Sequence, residues 1–95
     1  MGTHTIDVTA VRAATPGCAE VVHFNNAGAA LPPKVVTDAV LEYTAREALT
    51  GGYEAQDAAA AELAATYDAL ATLLGARREQ IALIENATRA WDMAF

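Results

Sequence analysis

Glu85-Asn86-Ala87-Thr88 directly follows the apolar run Ile81-Ala82-Leu83-Ile84 and precedes Arg89-Ala90-Trp91-Asp92-Met93-Ala94-Phe95, which has helical composition. A buried strand that turns tightly into a helix leaves unpaired backbone N–H groups at the helix start, where the helix dipole adds partial positive charge. That combination attracts anions. The Thr88 hydroxyl adds a donor at the same point, so a phosphate-bearing ligand is the natural guest. Ordinary capping is the competing reading: Asn86 or Thr88 accepts a bond from a first-turn amide and needs no ligand. Asn86-Ala87-Thr88 also matches the N-glycosylation pattern, but no secretory signal accompanies it.

A second stretch with chemical potential is Asn25-Asn26-Ala27-Gly28, inside a loop of small residues that ends in Pro32-Pro33. Asn and Gly tolerate unusual backbone angles, and small side chains let a ligand or another backbone approach closely. A plain connecting loop has the same composition. The remaining candidates have simple readings. Trp91 lies three residues after Thr88 and suits either a pocket wall or a core. Arg89 suits an anion or solvent, and the Arg77-Arg78 doublet suits a solvated loop. Cys18, in a Thr-Pro-Gly-Cys turn, has no Cys or His at metal-ligand spacing, and His4 reads as a solvent-exposed terminal residue. No residue is assigned a catalytic or metal-binding role.

These residues need elements to position them. Residues 1–20 read as an extended or weakly helical lead-in. Val21-Val22-His23-Phe24 is a short β-favouring run that delivers the chain to the small-residue loop. A helix is expected over 33–49, opened by Pro33, with Val36, Val40 and Tyr43 forming one apolar stripe. Thr50-Gly51-Gly52 ends it. A second helix is expected over 54–74, with Leu63, Tyr67, Leu70 and Leu74 on one face, Asp57, Glu62 and Asp68 on the polar side, and Gly75 as terminator. The run 81–84 reads as a strand covered on both faces, as in a parallel sheet. The expected class is therefore α/β, with 21–75 as an N-terminal segment and 76–95 opening a larger domain. In open sheets of that class ligands bind at the carboxyl edge of the strands, where Ala87 and Thr88 would lie.

Composition narrows the possibilities. Ninety-five residues make one small domain at most, and much of the 54% hydrophobic share is alanine, so the core should be thin. A formal net charge of −6, with no basic face, argues against nucleic acid. A single cysteine excludes an internal disulfide. There is no signal peptide, no myristoylation pattern at Gly2 and no apolar window long enough for a membrane span, so a cytoplasmic protein is expected.

The order HFNNAGAALPP, helix, GGYE, long Ala-rich helix ending LLGA, then IALIENATRAWDMAF resembles the N-terminal part of class V aminotransferase-like enzymes. These are pyridoxal 5′-phosphate enzymes of fold type I, among them cysteine desulfurases, selenocysteine lyases, isopenicillin N epimerase-like proteins and ergothioneine C–S lyases. The similarity runs from about Val21 to Phe95. It implies that Ala87 and Thr88 bind the cofactor phosphate and that Asn25, Asn26, Ala27 and Gly28 border the substrate. It also implies an amino-acid substrate and a homodimer in a complete protein, and places Gly51-Gly52-Tyr53 near a neighbouring subunit's site. The family's Schiff-base lysine has no counterpart here. The one lysine, Lys34, sits beside Pro32-Pro33 and matches no such motif, so this chain alone is not expected to catalyse the family's reaction. Ending on Trp91-Asp92-Met93-Ala94-Phe95, without a helix stop, reads as truncation. The alternatives are a free-standing, mostly helical interaction module and one half of a split enzyme.

Overall fold

Asp7 opens the first helix: its carboxylate accepts the N–H of Ala10 at 3.0 Å and so satisfies one of the orphan donors of α1 (Val8–Ala13). The computed structural model describes residues 5–95; His4 and Gly2 lie outside them. The chain separates into two compact units, Met1–Ala55 and Gln56–Phe95.

In the first unit, α1 leads into a 3₁₀ turn at Pro16–Ala19. The Thr15 hydroxyl, buried between them, donates to the Val11 carbonyl at 2.9 Å. Leu31 covers Gly17 so closely that an added Cβ would lie 3.2 Å from its methyl carbons. The Lys34 N–H donates to the Ala14 carbonyl at 2.8 Å, tying the start of α2 (Lys34–Thr50) to the end of α1. This helix begins one residue after Pro33, whose extended backbone (φ −62°, ψ 152°) suits the boundary. It ends at Gly51, where φ 99° and ψ 152° lie in a region essentially reserved for glycine. The next helix, α3 (Gly52–Ala58), crosses the boundary between the units.

In the second unit, α4 (Ala60–Leu74) stops at Gly75 in the left-handed conformation. The Gly75 and Ala76 amides return to the carbonyls of Thr72 and Ala71, which is a Schellman closure. A 3₁₀ turn at Arg78–Gln80 packs on α4, and Arg78 pairs with Asp68 at 3.3 Å. An irregular stretch then leads to α5 (Ala87–Ala94).

Three expectations are corrected. First, the described residues are helical and contain no strand, so the α/β class does not hold. A strand exists only through a neighbour that exchanges backbone bonds with it. Residues 21–24 and 81–84 form no such ladder; Ile81 has β-region angles (φ −103°, ψ 127°), but its N–H bonds the nearby Arg78 carbonyl. Second, the single helix expected over 54–74 is two helices. The chain tightens at Ala59 (φ −99°, ψ 13°), whose N–H bonds three residues back to Gln56. Alanine propensity gives no account of that break, which falls inside the run 58–61. Third, the lead-in is more ordered than expected, since it holds α1 and a 3₁₀ turn.

The core is thinner than composition implied. Among the described residues, the buried apolar side chains are Ala55, at 0% exposure, Ala59 and Ala71. Nineteen large apolar side chains stand at least 45% exposed.

Candidate functional site

The helix start at the end of the chain resolves into specific bonds. Asn86 is extended (φ −162°, ψ 166°), and its side-chain oxygen accepts the Arg89 N–H at 2.8 Å. Its backbone carbonyl accepts the Ala90 N–H at 3.1 Å. Capping by Asn86 is therefore realised, while the amides of Ala87 and Thr88 donate to no group among the described residues. Arg89 turns to Glu85, with Nε 3.8 Å from the carboxylate. With no strand among the described residues, this helix start lies at no sheet's carboxyl edge there.

The loop at Asn25-Asn26-Ala27-Gly28 is a tight turn: the Asn25 carbonyl accepts from both Gly28 and Ala29 at 3.2 and 3.1 Å. The Asn25 amide folds over Gly28, so that a Cβ there would come within 2.8 Å of its nitrogen. His23 closes the loop from the other side, its Nε2 donating to the Ala29 carbonyl at 2.7 Å. The four loop residues are all exposed. This turn belongs to the first unit, and Ala87 and Thr88 belong to the second.

Toward a phosphate group the start of α5 offers two amides and one hydroxyl, and the second unit includes no lysine, as expected from the sequence. Lys34 belongs to the first unit and is ion-paired with Asp38 one turn along α2. No set of three or more His, Cys, Asp or Glu among the described residues could hold a metal ion. No helix among them is long and apolar enough to cross a membrane.

What the geometry does present is uncovered apolar surface. The stripe expected on α2 forms, but Val36 and Val40 are exposed and Tyr43 is only half-buried. On α4, Tyr67 and Leu70 are half-buried while Leu63 and Leu74 face outward. Leu70, Leu74, Ile81, Leu83 and Ala90 line a shallow, mostly apolar groove of about 450 Å³ within the second unit. Thus the run 81–84, read from sequence as a covered strand, is one wall of an open groove. Its apolarity was visible in the sequence; which surface it would meet was not.

The chain matches no family model, no curated protein and no solved structure. Together with the absence of any strand among the described residues, this overturns the resemblance to the N-terminal part of class V aminotransferase-like enzymes. No finding supports the transferase, lyase or cysteine desulfurase-like character that the resemblance implied. The quoted order of short motifs was carried by small, loop-forming and alanine-rich segments, which recur without common descent.

Proposed function

We propose that this chain is a helical interaction module whose apolar faces are completed by a protein partner. The observation that supports this is the surface itself. The chain exposes 8271 Å². A compact monomer of this mass would expose about 5,200 Å², and two separate compact units about 6,300 Å². The surplus of about 2,000 Å² is well above the roughly 800 Å² that each partner contributes to a standard interface.

The energetics agree. Burying a Val or Leu side chain stabilises by about 1.5–3 kcal/mol, and here that gain is largely unrealised within the chain. An isolated helix the length of α2 is marginal in water, so tertiary cover has to supply its stability. Helices with exposed i, i+4, i+7 stripes suit docking into apolar grooves. The net charge of −6 favours a partner whose interface rim is basic.

The test is the folding behaviour of the isolated chain. Circular dichroism should show partial helicity, a broad and weakly cooperative melt, and binding of an apolar dye. A sharp two-state transition without dye binding, in a protein shown to be monomeric, would contradict the module reading.

A further inference from the structure

The first unit contains a pocket of about 400 Å³ that is more polar than the groove on the second unit. Arg12 and Thr15 come to it from the end of α1, Cys18 from the 3₁₀ turn, and His23 and Asn26 from the loop that follows. Val21 and Leu31 add apolar wall, and Phe24, 92% exposed, stands at its edge. The volume lies within the range of small-molecule sites, and a largely apolar lining with a few convergent polar groups is their usual make-up.

The chemistry centres on Arg12. The other two cations described in this unit are engaged, Lys34 with Asp38 and Arg46 with Glu42. Arg12 forms no ion pair or hydrogen bond through its guanidinium among the described residues. Residues 1–4 are Met, Gly, Thr and His, so they bring no side-chain carboxylate to it. The carbonyl of α1's last turn offers Arg12 a favourable dipole, but this leaves its planar N–H fork unused. Because the Ala29 carbonyl can only accept, the His23 Nε2–H donates to it and is spent in that bond. Arg12 and the Asn26 amide are the donors lining the pocket that no group among the described residues engages.

We propose that this pocket binds a small organic monocarboxylate, with the carboxylate on Arg12 and an apolar body against Val21, Leu31 and Phe24. One guanidinium matches one negative charge and can grip a carboxylate with two parallel bonds. At about pH 8, where inorganic phosphate is mostly the dianion, a single cation on this acidic chain disfavours it. Val21 and Phe24 belong both to this pocket and to the exposed apolar surface described above, but the pocket rests on a different observation, Arg12 unpaired among the described residues, and on bonds local to the first unit, from Lys34 to Ala14 and from His23 to Ala29.

Titration of the full-length, ¹⁵N-labelled chain with benzoate tests it, with benzamide and inorganic phosphate as comparisons. Benzoate should give saturable shifts at the amides of Arg12, Cys18, His23 and Asn26. Benzamide and phosphate should give none, and Arg12→Gln should weaken benzoate binding by about tenfold, as expected for losing a charge-assisted bidentate contact at a partly open site. A second measurement needs no variant: benzoate should slow alkylation of Cys18 by the uncharged reagent iodoacetamide, and benzamide should not. Shifts that do not saturate, that spread over both units, or that appear equally with phosphate would overturn the proposal. So would unchanged binding in Arg12→Gln or unchanged alkylation of Cys18.

Discussion

Trp91 and Phe95 stack one turn apart on the exposed side of α5, with ring centroids 4.4 Å apart and planes tilted by 33°. Their exposures are 66% and 88%, so the two largest aromatic surfaces of the second unit cover each other and little else. An i, i+4 aromatic pair supports a short helix without requiring a core beneath it. The same pair forms an apolar knob, as an interaction module would require.

Acrylamide, a neutral quencher that the net charge of −6 does not repel, should therefore quench Trp91 fluorescence in the isolated chain nearly as well as it quenches free tryptophan. Phe95→Ala should raise quenching slightly, because it uncovers the stacked face of Trp91, and weaken α5 by roughly 0.2–0.5 kcal/mol, read as lost helicity. A blue-shifted, quencher-protected emission from the monomer would contradict this exposed placement.

Asn86→Ala should destabilise α5 by about 1 kcal/mol, because the Arg89 amide loses its acceptor. Asn86→Asp should retain most of the cap and add a favourable charge at the helix start. Amide hydrogen exchange at Arg89 and Ala90 measures both. Equal protection in Asn86→Ala would show that the cap contributes nothing.

Gly75 and Gly51 end their helices differently and should respond differently to alanine. At Gly75 (φ 65°) nothing lies within 4 Å of an added Cβ, so Gly75→Ala carries only the left-handed backbone cost, about 1–2 kcal/mol. Gly75→Asn should cost less. At Gly51 the backbone lies in glycine-only territory, and an added Cβ would also push aside the flexible Glu54 carboxylate. Gly51→Ala should therefore cost more, up to about 3 kcal/mol. Helicity under denaturant titration should rank Gly75→Asn as the mildest of the three variants, Gly75→Ala next and Gly51→Ala as the most severe.

Asp38→Asn should matter little. Its pairing with Lys34 is an exposed i, i+4 contact, worth about 0.3–0.5 kcal/mol at low salt. The difference from the parent chain should vanish at 1 M salt, where the Debye length is about 3 Å. A salt-independent loss would show that Asp38 acts by some other contact.

Local events were legible in the sequence to the extent that their causes are local. Pro33 before a helix, Gly51 and Gly75 after helices, and Asn86 at a helix start each act through the backbone of a few neighbouring residues. The break at Ala59 had no such signal, since an alanine run is as good a helix former there as on either side. Residues 81–84 misled for a different reason. A short apolar run reports a demand for burial and not the means of meeting it, so the same four residues read as a sheet strand and fold as a groove wall.

The amino-acid sequence by itself determined the two ends of α2, the stop of α4 and the start of α5, which side chains are apolar and that the chain is acidic, because propensity, capping and charge belong to single residues and near neighbours. Only the tertiary structure decided that no sheet forms among the described residues, that little larger than alanine is buried, and that Arg12, Cys18, His23 and Asn26 line one pocket. Strand pairing, burial and pocket formation each need surfaces brought together from separate parts of the chain. Where such a surface is missing, the apolar residues stay uncovered.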